Sequence, residues 1–148
     1  MDFIEVEGHA TSRAAPAAVF SLLKNSDTWP RWSMFKSAEL EQPGQDEPYG
    51  VGSIRVFSTS VTRAREQVVE LIPDRQLSYV LLSGLPFRNY RADVRLTSPG
   101  DSGTRIDWTA AFQCRYGTGW FWRLFMNRIL SDLAKQLAAA AEQNSAAG

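Results

Sequence analysis

Charged side chains that could take part in chemistry lie on two neighbouring stretches of this 148-residue sequence. Glu66 and Arg65 belong to Val61–Ile72, a predicted strand on which both faces carry charged residues. Arg55 belongs to the preceding predicted strand, Gly52–Ser58. Arg55 and Arg65 could together bind a ligand carboxylate or phenolate, and Glu66 could serve as an acid or base. The alternative is a solvated strand end on which these charges form surface pairs.

The apolar face of a predicted hairpin supplies two further candidates. Its strands, Arg88–Ser98 and Gly103–Gln113, alternate so that one face is apolar and the other charged. The apolar face consists of Tyr90, Ala92, Val94, Leu96, Ile106, Trp108, Ala110 and Phe112. Tyr90 and Trp108 each carry a polar group that needs a partner when it is buried. These two residues either line a cavity or belong to a plain core.

The chain has too few histidines and cysteines to favour nucleophilic catalysis or metal binding. The chain has one histidine, His9, and one cysteine, Cys114, which excludes a zinc site of the usual Cys/His type within one chain. The run GDSG at 100–103 occurs around the nucleophile of trypsin-like proteases, but His9 lies on the polar face of the first predicted strand. We interpret the run as the turn of the hairpin. We predict no metal and no cofactor.

The composition is that of one soluble globular domain spanning residues 1–148. Basic and acidic residues balance at 16 each, so no overall field favours nucleic acid or an anionic membrane. No apolar stretch approaches the ~20 residues that span a bilayer. The N-terminus lacks the basic and apolar regions of a signal peptide. We therefore expect a cytoplasmic protein that binds no nucleic acid and does not insert stably into a membrane.

The elements that must position these residues follow a simple order. Phe3–Ser12 alternates as a strand does, and Pro16 begins a short helix. Six further strands are predicted at Lys36–Glu41, Gly52–Ser58, Val61–Ile72, Gln76–Ser83, Arg88–Ser98 and Gly103–Gln113. A long amphipathic helix follows from about Thr118 to Glu142, and residues 143–148 are predicted to be a frayed tail. Consecutive strands with short turns predict an antiparallel sheet against which this helix packs.

Three stretches in this order resemble the polyketide cyclase/dehydrase-like branch of the START-like (SRPBCC) superfamily. They are Ala15–Trp32, Arg65–Thr97 and Gly103–Phe112. The resemblance implies an α+β helix-grip fold, in which a curved seven-stranded antiparallel sheet wraps around a long C-terminal helix. It also implies two short helices between the first two strands. Members include lipid and hormone carriers, aromatic cyclases and chaperone activators, and no invariant catalytic set unites them.

We expect a central cavity that binds, and could transport, a small hydrophobic or aromatic ligand of lipid-like or polyketide-like chemistry. The predicted ligand-binding residues are Trp32, Phe35, Arg55, Arg65, Tyr79, Tyr90, Trp108, Phe112, Trp122 and Met126, with Glu66 as a further polar anchor. One alternative is a polyketide cyclase, aromatase or dehydratase that moves protons with Tyr90, Glu66 or Arg65. Another is a protein-interaction module of the chaperone-activator type.

Two groups of tryptophans need a place in this arrangement. Trp29 and Trp32 lie three residues apart and can share one face of a second, very short helix. We predict that Trp29 packs in the core and that Trp32 contacts the ligand. On the long helix, Trp120 and Leu124 point away from the core stripe. They are covered by the preceding loops, by a second subunit in a homodimer, or by transient membrane contact.

Overall fold

The computed structural model describes the fold of residues 1–147 and the side chains of residues 1–145. The elements are β1 (Asp2–Ser12), α1 (Pro16–Lys24), a 3-10 turn (Ser26–Thr28), α2 (Trp29–Trp32), β2 (Ser37–Gln42), β3 (Ile54–Ser58), β4 (Arg63–Ile72), β5 (Gln76–Ser83), β6 (Arg88–Thr97), β7 (Thr104–Cys114) and α3 (Gly119–Ala147). This order confirms the predicted fold. None of the helices in this described part is both long enough and apolar enough to cross a membrane.

The seven strands form one antiparallel sheet in the order β1-β7-β6-β5-β4-β3-β2. Every strand from β2 to β7 pairs with its neighbour in sequence, as short connections favour. The exception is β1, which pairs with β7 from Asp2 opposite Cys114 to Ser12 opposite Thr104. The first strand therefore completes the sheet beside the last one.

The hairpin of β6 and β7 shows the predicted division between an apolar and a charged face. Its inner side chains are buried, including Tyr90, Trp108 and Phe112. On the outer face, the Asp107 carboxylate pairs with Arg105 at 3.1 Å and lies 2.6 Å from Nδ1 of His9. The GDSG run forms the loop between these two strands, where Gly103 has a φ of +85°. The histidine is thus a half-exposed strand residue, as its alternation predicts.

The helix α3 packs chiefly against β1 and β7, at one edge of the sheet. Its buried stripe includes Met126, Leu130, Leu133 and Leu137. Gly8 allows the close approach, since a Cβ there would collide with the backbone of Leu130 and Ser131. Two hydrogen bonds hold the contact. The Glu7 N–H donates to Asn127 Oδ1 at 2.8 Å, and the Ser12 hydroxyl donates to the Ala138 carbonyl at 2.9 Å.

The helix α3 extends beyond its predicted end at about Glu142, and fraying of residues 143–148 stays a prediction. The helix continues to Ala147, while Gly148 lies outside the described residues. The reason is local, because the alanine run at 138–141 is a strong helix former and carries the helix into the residues that follow.

Candidate functional site

A cavity of about 180 Å³ lies between α3 and the inner face of the sheet. Its walls are formed by Trp29, Met34, Phe35, Thr59, Val61, Thr62, Ala64, Glu66, Tyr79, Leu85, Tyr90, Phe125, Met126, Ile129, Leu130 and Leu133. Larger clefts on the surface, such as one of about 800 Å³, have several charged side chains in their walls. The internal cavity is mainly apolar with a few polar groups, which is the usual character of a small-molecule site.

The polar end of the cavity is Glu66, which forms a buried pair with Arg55, a predicted ligand-binding residue that does not itself line the cavity. Arg55 is fully buried, and Glu66, which lines the cavity, is 7% exposed. Arg55 Nη2 lies 3.7 Å from Glu66 Oε1, which is within ion-pair range but too long for a hydrogen bond. All three guanidinium nitrogens and Glu66 Oε1 lack a hydrogen-bond partner in the described part of the chain. Because buried polar groups are normally satisfied, this pair is the most unusual feature of the interior.

Aromatic rings surround the Arg55 guanidinium in place of hydrogen-bond acceptors. Its central carbon lies 5.1 Å from the ring centroids of both Trp29 and Phe57, and 5.5 Å from that of Tyr79. Cation–π attraction to these rings offsets part of the cost of removing the cation from water. Burial also lowers the pKa of Arg55, while Glu66 and Tyr79 act in the opposite direction.

Burial changes the proton affinity of every acidic group at the cavity. It raises the pKa of Glu66 to about 7, although the neighbouring Arg55 lowers it. Burial also raises the pKa of Tyr90, and the Glu66 carboxylate adds to that effect. The Trp108 indole N–H donates to the Tyr79 hydroxyl at 3.2 Å, which leaves the Tyr79 O–H free to donate elsewhere. At neutral pH, Glu66 can therefore either accept or donate a proton.

We expect the Glu66 carboxyl to make the stability of the fold depend on pH. The folded chain holds this proton more tightly than the unfolded chain, so the stabilisation is complete below pH 4.5 and is lost as the pH rises to about 7. The difference in unfolding free energy between wild type and Glu66→Gln should fall by ~3 kcal/mol across that range. Urea unfolding at several pH values measures it. The control Glu70→Gln removes an exposed carboxylate from the same strand, and its unfolding free energy should depend on pH as that of wild type does. If the unfolding free energy of Glu66→Gln showed the same pH dependence as wild type, the raised pKa of Glu66 would be contradicted.

The predicted ligand clamp of Arg55 and Arg65 is wrong, because the strand register puts the two side chains on opposite faces. Arg55 is opposite Glu66, whereas Arg65 is opposite Val56. Residues opposite each other in a sheet share a face, so Arg65 points outward. There its guanidinium donates to both Glu41 oxygens at 2.8 and 2.7 Å. Arg65 is therefore not a candidate acid or base in the cavity.

A bulge in β4 turns Glu70 away from the core, although Glu66, in the half of the strand before the bulge, points inward. Ala64, Glu66 and Val68 point inward. The register then shifts between Val68 and Glu70, so that the second half of the strand presents Leu71 rather than Glu70 to the core. A bulge adds one residue and reverses the alternation beyond it. Neither face predicted for this strand thus faces inward along its whole length.

The structure brings five of the predicted residues to the cavity and leaves four of the aromatic ones away from it. Those at the cavity are Phe35, Glu66, Tyr79, Tyr90 and Met126, while Trp32, Trp108, Phe112 and Trp122 are absent from its walls. Trp108 and Phe112 lie on β7, against which α3 packs directly, so they belong to the solid part of the core. Trp122 instead contacts the Phe87 ring edge-on, with centroids 4.9 Å apart.

Of the two tryptophans of α2, Trp29 packs in the core as the sequence predicts, but it is also the one that lines the cavity, whereas Trp32 does not. Trp29 is 1% exposed and lines the cavity, with its ring stacked on Phe57 at 4.4 Å. Trp32 is half-buried and donates its indole N–H to Thr28 Oγ1 at 3.1 Å. The Trp29 indole N–H donates to the Leu23 carbonyl at 3.1 Å, which orients its ring toward the sheet. Hydrophobic spacing cannot show which of two indoles on one short helix lines a cavity.

The residues of the cavity mouth were not predicted. Met34, Val61, Leu85 and Phe125 all line it, and three of the four lie in loops, where no periodic pattern indicates direction. Phe125 lies beyond the predicted core stripe of α3. The nearby Trp120 and Leu124 are 66% and 67% exposed, so the loops of this chain do not cover them.

The curved antiparallel sheet, the C-terminal helix on its inner face and the two short helices after β1 define the helix-grip fold. The chain belongs to the family described as polyketide cyclase / dehydrase and lipid transport, whose model matches residues 4–142. Family and fold together support a role in binding a hydrophobic ligand or in polyketide cyclisation. No curated protein sequence matches the chain.

Several solved structures share this fold at low sequence identity. A START superfamily protein from Mycobacterium smegmatis superposes with a TM-score of 0.81 at 16% identity, covering 94% of this chain and 97% of its own. An aromatase/cyclase from a Streptomyces species gives 0.80 at 16% identity and covers 99% of both chains. The XoxI protein from Bacillus cereus gives 0.75 at 17% identity, covering 98% of this chain and 99% of its own. At such identities the similarity establishes the fold alone.

Proposed function

We propose that the chain binds, and carries, a small hydrophobic molecule with one hydrogen-bonding group, such as a substituted phenol. The observation on which this rests is Glu66, a buried carboxyl in an apolar cavity whose Oε1 has no hydrogen-bond partner among the described residues. Oε1 itself is enclosed by protein, so a ligand hydroxyl in the cavity would donate to the other oxygen of the same carboxylate, Oε2. The apolar walls would supply most of the remaining affinity.

The size of the cavity supports a ligand of about one ring. An apolar cavity of about 150 Å³ accepts benzene, so about 180 Å³ leaves room for a ring with a small substituent. A longer lipid or polyketide chain would have to extend through the mouth. Met34 and Phe125, which are 44% and 46% exposed there, have the freedom to move aside.

We expect 4-ethylphenol to bind about tenfold more tightly than ethylbenzene at pH 8, where Glu66 is an ionised acceptor. Displacement of the fluorescent probe 1-anilinonaphthalene-8-sulfonate would measure both affinities. In Glu66→Leu the preference for the phenol should disappear, because the acceptor is gone. In Glu70→Leu, where the carboxylate removed is 44% exposed and pairs with Arg91, it should persist. Equal affinities for the two compounds in wild type would refute the proposed role of Glu66.

The alternative of an enzyme is favoured by one observation, the pKa of Glu66 near 7 in a cavity that also holds two tyrosines. A group that is half protonated at neutral pH can transfer protons during cyclisation or dehydration of a bound polyketide-like chain. Mass spectrometry of the products formed from a reactive poly-β-ketone distinguishes the two functions. A product profile that changes in Glu66→Gln and Tyr90→Phe, with binding retained, supports the enzyme. An unchanged profile supports the carrier.

A further inference from the structure

The two oxygens of the Glu66 carboxyl lie in different surroundings. Oε1 is enclosed by protein and lies 3.7 Å from Nη2 of the buried Arg55 guanidinium. Glu66 nevertheless lines the cavity, so Oε2 is the oxygen that meets a ligand. Because an arginine keeps its proton in proteins, Arg55 places a fixed positive charge on the Oε1 side. One end of the carboxyl therefore faces a cation and the other end faces the cavity.

This asymmetry determines which oxygen of Glu66 carries a proton. A proton on Oε1 would point toward the guanidinium, which has only hydrogen-bond donors and repels a further one. With the proton on Oε2, the lone pairs of Oε1 face the cation and the O–H points into the cavity. Burial raises the pKa of Glu66 to about 7, so both protonation states are populated near neutral pH. The cavity therefore holds a hydrogen-bond acceptor above that pH and a donor below it.

We propose that the cavity takes a second class of ligand, small apolar ketones and aldehydes, whose carbonyl oxygen accepts a hydrogen bond from protonated Glu66. This inference rests on the proposed function, since it uses the same cavity and the same carboxyl. Phenols bind the ionised form, whereas ketones bind the neutral form. A carbonyl oxygen placed against the ionised carboxylate loses its hydrogen bonds with water and gains none in return. The protonation state of Glu66 thus selects between two ligands of nearly the same shape.

Among the residues that the structure describes, Glu66 is the group at the cavity whose charge changes near neutral pH. Arg55 faces it from β3 and stays charged. Tyr79 faces it from β5 and Tyr90 from β6, and burial raises the pKa of both phenols above their ordinary value. The walls from α2, α3 and the loops consist of apolar and threonine side chains, which do not ionise. The change from acceptor to donor is therefore a property of Glu66.

The test compares three ligands of about equal size by isothermal titration calorimetry. Ethylbenzene has no polar group and serves as the reference, acetophenone has a carbonyl, and 4-ethylphenol has a hydroxyl. The ratio of acetophenone affinity to ethylbenzene affinity should be roughly tenfold higher at about pH 5.5 than at about pH 8.5. The corresponding ratio for 4-ethylphenol should change in the opposite direction.

Proton exchange on binding provides a second measurement on the wild-type chain. Ligand binding and proton binding affect each other reciprocally, so a tenfold preference for one protonation state shifts the pKa of Glu66 by about one unit. Near pH 7, acetophenone should therefore take up about 0.4 proton per molecule bound, and 4-ethylphenol should release about as much. Titrations in two buffers with different ionisation enthalpies measure both quantities.

Variants of three charged residues assign the effect to Glu66. In Glu66→Gln both affinity ratios should become independent of pH, because an amide offers a donor and an acceptor throughout. Arg55→Met should move the change in the ratios to higher pH, since Arg55 lowers the pKa of Glu66. The control Glu70→Gln removes an exposed carboxylate that pairs with Arg91, and it should keep the pH dependence of wild type. Thermal melting should show that each variant is folded.

Two results would overturn this inference and leave the proposed function intact. One is a ratio of acetophenone to ethylbenzene affinity that favours acetophenone equally at both pH values, which would assign the donor to a tyrosine hydroxyl. The other is acetophenone binding without proton uptake, while 4-ethylphenol still binds more tightly than ethylbenzene at pH 8. If 4-ethylphenol is not preferred over ethylbenzene at any pH, the proposed function fails and this inference fails with it.

Discussion

Replacing the buried charge pair by Arg55→Met together with Glu66→Leu is expected to stabilise the fold by about 1–4 kcal/mol at pH 8. Both side chains are withdrawn from water, yet Glu66 Oε1 and all three guanidinium nitrogens lack hydrogen-bond partners within the described residues. The attraction across 3.7 Å therefore offsets only part of the desolvation cost. Methionine and leucine would fill nearly the same space, and urea unfolding would measure the gain.

The single substitution Arg55→Met separates the effect of the positive charge on the pKa of Glu66 from the effect of side-chain packing on stability. Since Arg55 lowers the pKa of Glu66, its removal should move the titration of Glu66 to a pH above about 7. Arg65→Met, which removes an exposed arginine paired with Glu41, should change neither that titration nor the stability by more than about 1 kcal/mol. A double variant clearly less stable than wild type would show that the pair is a net stabiliser. If the gain is found, the pair is retained at a cost to stability, which indicates a functional role.

Trp29→Ala is expected to destabilise the fold by about 3–5 kcal/mol. Its ring is 1% exposed, stacks on Phe57 and meets Trp108 edge-on at 5.6 Å. Its loss would also remove the indole over the Arg55 guanidinium and the hydrogen bond to the Leu23 carbonyl. Because this ring forms part of the cavity wall, the variant should also bind bulkier ligands than wild type does.

Trp32→Ala is the matched control, since it removes an indole from the same short helix. Trp32 is half-buried and does not line the cavity, so the loss should be nearer 1–2 kcal/mol, with ligand size preference unchanged. Thermal unfolding and displacement of the same fluorescent probe measure both effects. Equal losses of stability in the two variants would contradict the different roles assigned to the two rings.

The fold was predictable because local signals agree with one another along the whole chain. Alternation in β6 and β7 is unbroken, and every inward residue predicted from it is buried. The order of β2 to β7 followed from short connections, whereas no local pattern placed β1 beside β7. The helix α3 continues past its predicted end at about Glu142, because no proline or glycine follows the alanine run before Gly148.

The site was less predictable, because it depends on where α3 lies across the sheet. Strand alternation predicted that Tyr79, Tyr90 and Glu66 point inward or left their direction open. It does not show which of the inward residues α3 covers. Gly8 is the residue that lets α3 lie over β1 and β7, and a single glycine in a strand has many explanations. The bulge in β4 did leave a signal, namely charge on both faces of one strand. That signal indicates an irregular strand but not which half turns inward.

The pairing of β1 with β7 also determines when the fold can form. The hydrogen bond between Glu7 and Asn127 spans 120 residues, so the first strand acquires its sheet neighbour and its covering helix only from the last third of the chain. Contacts so distant in sequence slow folding, because a large loop must close before they stabilise anything. During synthesis β1 emerges first and remains an unpaired strand until β7 and α3 follow. The Gly8 contact with α3 thus joins the two ends of the chain, and α3, which forms one wall of the cavity, takes its place only once those ends have met.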